Sequence, residues 1–182
     1  MEKIFKAQRV AAVVYTVMSI VVFLYTLMFM TEYKDLFGLK LKQNSQISFF
    51  HDSILQTFNR QIFALALFGV IVIVLSFFLE IFSKVPDWFA LVVLEACLIA
   101  CCAGAVYAIT NIQAVEAFYK GLDLQYLYLE GLDNYQLKFT TFHIGVGIYV
   151  VQLVVCAAYG IAMLASHVTF KKIEKKGRME DE

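Results

Sequence analysis

Four stretches of this sequence, residues 11–30, 62–82, 88–109 and 144–165, are long and apolar, with no basic residue and only two acidic ones, Glu80 and Glu95. Each has close to the ~20 residues an α-helix needs to cross a ~30 Å hydrocarbon layer. Lipid offers the backbone no hydrogen-bond partners, so such a segment must satisfy its own as a helix. The expected fold is therefore all-α: a polytopic membrane protein with four transmembrane helices in a bundle. Residues 1–182 read as one four-span membrane domain, with long connections at 31–61 and 110–143.

Composition supports this class. Apolar residues make up 61% of the chain and charged residues 16%, and a soluble domain this small could not hide so much apolar surface. Fifteen basic residues balance fifteen acidic ones, so no net field draws the chain to nucleic acid. The expected surroundings are the lipid bilayer and either a protein partner or further copies of the chain. Lys3, Lys6 and Arg9 precede the first apolar run, as in a secretory signal. That run is too long for one, and the Met-Phe-Met-Thr-Glu at 28–32 offers no small-residue cleavage site, so it reads as a retained span.

Basic residues set the expected orientation. Nine of them (Lys3, Lys6, Arg9, Lys84, Lys171, Lys172, Lys175, Lys176 and Arg178) fall at the two ends and in the short middle loop, against six in the two long connections. Both termini are thus expected in the cytoplasm. No Asn-x-Ser/Thr site occurs, which fits a bacterial cell membrane. Connections of about thirty residues are too long to be structureless in a compact protein. Ile54, Leu55, Phe58, Ile62 and Phe63 recur at helical spacing after Asp52, as Leu137, Phe139 and Phe142 follow Asp133, and each aspartate suits a helix N-cap. A helix from Asp52 to Phe82 would be roughly 46 Å long, so spans two and four are expected to extend on the outer side.

The halves share a pattern. Tyr33-Lys34-x-Leu36 follows span one, as Tyr119-Lys120-x-Leu122 follows span three. A duplication of this kind implies a pseudo-twofold axis along the membrane normal. Small residues let membrane helices approach closely. They concentrate in span three (Ala96, Ala100, Ala103, Gly104, Ala108) and span four (Gly145, Gly147, Ala157, Ala158, Gly160, Ala162, Ala165). Spans three and four are therefore expected to pack tightly, leaving spans one and two more open to lipid or a partner.

Glu95 is the residue the membrane makes most costly, about two turns inside the cytoplasmic boundary. The topology places Tyr15, Thr16, Ser76 and Tyr159 at its depth. Together these form a candidate polar binding layer for a cation, a proton or a lipid headgroup. The same residues also suit a structural role in which Glu95 fixes helix register. Cys97, Cys101, Cys102 and Cys156 all lie within spans, so an outer disulfide framework is excluded. Without histidine at that depth they read as small apolar residues rather than metal ligands.

The three histidines, His51, His143 and His167, fall outside the spans, and intramembrane haem needs ligands within the bundle. No cofactor or metal is expected. No catalytic motif is present either. The only material for an enzyme is His143 with Thr140, Thr141 and Tyr149, or His51 with Asp52. Aromatic and acidic residues of the long connections, among them Phe50, Phe58, Phe118, Tyr119, Glu116 and Tyr126, suit an interfacial belt, an outer cap or a docking surface. Three functions follow: a non-enzymatic accessory or assembly subunit of a membrane complex, an oligomeric small channel or transporter using Glu95, or a lipid-modifying membrane enzyme. The residues favour the first and argue against the last.

Overall fold

The computed structural model describes residues 2–30, 49–82, 88–121 and 141–180. They form helix α1 (Glu2–Met30), α2 (Gln56–Phe82) with a π-helical turn (Phe50–Leu55) before it, α3 (Trp88–Lys120) and α4 (Thr141–Glu180). No strand occurs among the described residues. All four helices are long and apolar enough to cross a membrane. The chain is thus an all-helical, membrane-embedded bundle.

Three helices run beyond the expected limits, the first of them beginning at Glu2 rather than at residue 11. The third has 33 residues and continues to Lys120, because Ile112, Val115 and Tyr119 carry its inward face past residue 109. It ends at Gly121, whose amide returns to the carbonyls of Ala117 and Phe118 at 3.2 and 3.1 Å. The fourth has 40 residues and runs through the basic tail to Glu180, about 60 Å at helical rise. The second extends as expected, with one difference: Asp52 lies inside the π-turn rather than capping a helix. The candidate cap Asp133 lies outside the described residues.

Neighbouring helices form a ring in the order α1–α2–α3–α4, and the diagonal pairs do not touch along their backbones. Twofold-related halves would share this order but would also make the α1–α4 and α2–α3 contacts alike, and these are unequal. Across one diagonal, Tyr15 meets Cys101.

The inward faces follow a 3.5-residue spacing, the period of knobs-into-holes packing. In α1 they are Gln8, Ala12, Tyr15, Ser19, Val22, Tyr25 and Thr26; in α4 they include Gly145, Tyr149, Gln152, Cys156, Tyr159, Met163 and Ser166. In these two helices the inward face is small, aromatic or polar except at Val22 and Met163, while Val10, Val13, Val17, Leu24, Val154 and Ile161 point outward. Lipid is as apolar as leucine, so burial of aliphatic surface does not drive the helices together; close packing and interhelical hydrogen bonds do.

The α3–α4 contact is the most extensive of the four, as expected, and α2–α3 the least. The small residues do not produce it in the expected way. Ala96, Ala100, Ala103, Ala157, Ala158 and Ala165 are exposed, and a Cβ on Gly147 would meet nothing within 4 Å. The expected greater exposure of spans one and two is absent as well. The buried share of the apolar span is 33% in α1, α2 and α4 and 28% in α3.

Candidate functional site

Two apolar clusters fill the bundle. The cluster nearer the chain termini contains Ala12, Tyr15, Val72, Leu91, Leu94, Leu98, Cys156, Tyr159 and Met163. The distal one contains Val22, Tyr25, Phe58, Ile62, Ala66, Ala105, Ala108, Ile112 and Tyr149. Above it, aromatic rings cap the described distal end. Phe50 stacks on Phe118 at 5.8 Å and meets Tyr119 at a tilt at 5.5 Å, and Tyr119 meets Phe142 at 5.8 Å. Of the expected roles for the outer aromatics, these rings fit a cap; Tyr126, Tyr128 and Tyr135 lie outside the described residues.

The five residues expected to form one polar layer divide into three groups. Tyr15 and Tyr159 are both fully buried, and their rings stack at 5.5 Å and 26°. The Tyr15 hydroxyl donates to the Gly69 carbonyl on α2 at 3.1 Å and lies 3.7 Å from Cys101 Sγ on α3. One side chain of α1 thus touches all three other helices. Thr16 and Ser76 turn back on their own helices, donating to the Ala12 and Val72 carbonyls, each at 2.9 Å. A hydroxyl in a membrane helix takes this local bond when no better partner is near.

Glu95 stands apart, on the flank of α3 that meets α4. Its Oε2 lies 2.8 Å from where a Cβ on Gly160 would be, so the missing side chain of Gly160 is what admits the carboxylate. Its other oxygen, Oε1, is buried with no hydrogen-bond partner among the described residues. On the lipid side of this seam, helical geometry places Val92 and Ile99 of α3 and Ala157 and Leu164 of α4, all exposed. Glu95 is thus a half-buried acceptor at a seam, beside the tyrosine pair rather than ringed by hydroxyls.

Other polar residues lie differently from where the sequence suggests. Glu116 is nearly buried, with 11% of its side chain exposed, and its Oε1 lies 3.4 Å from His143 Nε2. The extension of α3 brings it there, and the apolar spacing up to Tyr119 was the available signal. Tyr149 does not join His143; it lies in the bundle interior, edge-on to Tyr25 at 6.1 Å and 84°. The Thr141 side chain and residue 140 lie outside the described residues, as do the side chains of His51 and Asp52. His167, expected in a tail, is buried and packs against Trp88 at 5.8 Å.

Gln152 is the most conspicuous omission. It is the only Asn or Gln in the four expected spans, and it is buried. Its Nε2 donates to Ser19 Oγ at 3.5 Å and to Cys156 Sγ at 3.4 Å. No protein-family model matches the chain, and no curated protein or solved structure matches it either.

Proposed function

We infer that this chain is a non-enzymatic accessory or assembly subunit of a membrane protein complex, with both termini in the cytoplasm of a bacterial cell. The observation that carries the reading is Glu95, whose buried Oε1 has no partner among the described residues. Charged groups inside a bilayer usually pair with one another or with polar groups across helices. A partner helix bearing Lys, Arg or a side-chain amide, laid along the α3–α4 seam, would supply the missing donor. The interior beside Glu95 is filled by Leu91, Leu94, Tyr159 and Met163, each at most 2% exposed. That filling favours association at the surface over passage through a single copy.

The test is native mass spectrometry after gentle extraction from the source membrane, paired with thermal unfolding of the isolated chain. The wild type should carry a second protein, and Glu95→Leu should lose it. The isolated Glu95→Leu chain should be at least as stable as wild type, because a costly carboxylate has gone from the hydrocarbon. A homomer would instead support an oligomeric channel or transporter and overturn the accessory reading. Loss of stability in isolated Glu95→Leu would equally count against it, marking Glu95 as a register-fixing residue within the bundle.

A further inference from the structure

Where the two apolar clusters meet, near the middle of the apolar spans of α1, α2 and α3, lies a layer that adds Ser19, Gly69, Gly104 and Gln152, members of neither, to Ala66 and Tyr149 of the distal cluster. A cleft opens there between α2 and α3, the pair with the least extensive contact. Small residues make it: Gly69 and Ala66 on α2, and Ala100 and Gly104 on α3. Ala100 is exposed, and Leu65 and Phe68 beside it are half-buried, so the mouth faces the lipid.

The lining of the cleft is mostly apolar, and its polar side chains form the floor. These are Ser19 of α1 with Tyr149 and Gln152 of α4, which are 2%, 3% and 5% exposed. Two of their atoms, the Tyr149 hydroxyl and Gln152 Oε1, are buried with no hydrogen-bond partner among the described residues. An unsatisfied buried donor or acceptor costs about 1–3 kcal/mol, and hydrocarbon cannot relieve it. Its volume, about 20 Å³, exceeds the ~10–15 Å³ that one water needs. It is far too small for a charged headgroup, and the position is too deep in the bilayer for one.

We propose that this cleft is a binding site for a neutral hydroxyl group, entering sideways from the membrane and held between Tyr149 and Gln152. A hydroxyl is the smallest group that can accept from the tyrosine while donating to the amide oxygen. Water and the hydroxyl of an apolar alcohol share this chemistry. In the second case the alkyl chain lies out through the mouth past Ala100, against Leu65 and Phe68. The site is independent of the Glu95 seam, since it opens on α2–α3 rather than α3–α4.

The probe is a photoactivatable diazirine analogue of octanol, applied to the protein in phospholipid nanodiscs and mapped by peptide mass spectrometry. Saturable labelling of residues 65–69 or 100–105, competed by octanol and not by octane, is expected if an alcohol occupies the site. Gln152→Leu should weaken it about fivefold, the effect of one neutral hydrogen bond. Gly69→Ala is the variant that keeps the fold, because its Cβ would meet only Ser19 Oγ, at 3.9 Å. It takes up room in the cleft and should weaken labelling comparably. Magnetisation transfer from water to the Gln152 side-chain amide, without saturable labelling, assigns the hydroxyl to water. Neither signal, or labelling that both variants leave unchanged, overturns the proposal.

Discussion

Tyr15→Ala should lower the stability of the bundle by about 3–5 kcal/mol, the range for truncating a large aromatic core residue. It is among the largest side chains that are fully buried, and it touches all three other helices. The Tyr159 ring stacks on it at 5.5 Å, and the Gly69 carbonyl accepts its hydroxyl at 3.1 Å. Because lipid supplies no hydrophobic drive between helices, those dispersion contacts and that hydrogen bond are what the substitution removes. Tyr15→Phe keeps the ring and loses only the bond, so it should cost about 1 kcal/mol. Unfolding in mixed micelles with rising dodecyl sulfate, followed by helical circular dichroism, gives both values. An alanine variant within about 1 kcal/mol of wild type would show that α1 is held by contacts other than this one.

The fold class was legible because its signal is crude. Four runs of about twenty apolar residues can satisfy their backbones in lipid only as helices. Which face of each helix turns inward was also encoded, though hydrophobicity hid it. In α1 the outward positions are valines and leucines, while the inward ones are Gln8, Tyr15, Ser19 and Thr26. A search for apolar stripes, appropriate in water, therefore points to the wrong face of α1. Polar and small residues at 3.5-residue spacing were the usable sign. Glycine and alanine content misled for a related reason: composition counts Ala96 and Ala158 with Gly145 and Gly160, yet only the last two stand where a neighbouring side chain needs their space.

The candidate site was less legible. Depth along a helix follows from residue counting, so the common level of Tyr15, Tyr159 and Glu95 could be inferred. Azimuth does not follow from counting, and azimuth is what separates Glu95 at the seam from the tyrosines inside. The bonds of Thr16 and Ser76 to their own backbones are local, set by whichever partner is nearest. Gln152 drew no notice because it carries no charge. In hydrocarbon an unpaired amide is also costly, so a lone glutamine in a span merits the scrutiny given to a glutamate.

Gly145→Leu should prevent assembly of the bundle, whereas Gly147→Leu, two residues along the same helix, should change stability by only about 0.5 kcal/mol. Neither glycine is needed for backbone conformation, so the contrast isolates packing. A Cβ on Gly145 would run into the Tyr25 hydroxyl, and it would lie 2.6 Å from Tyr25 Cζ and 3.0 Å from Ile112 Cδ1. Tyr25 cannot swing clear, since it is only 4% exposed and meets Tyr149 edge-on. A single methyl there, in Gly145→Ala, already forces overpacking worth about 1–3 kcal/mol, larger than the ~1 kcal/mol that alanine gains in helix propensity. The cause is tested by a double substitution. Tyr25→Leu combined with Gly145→Ala should recover part of the loss, with a coupling of about 0.5–3 kcal/mol between the two sites. Equal effects at positions 145 and 147, or strict additivity of Tyr25→Leu and Gly145→Ala, would mean that α1 and α4 do not meet through this tyrosine.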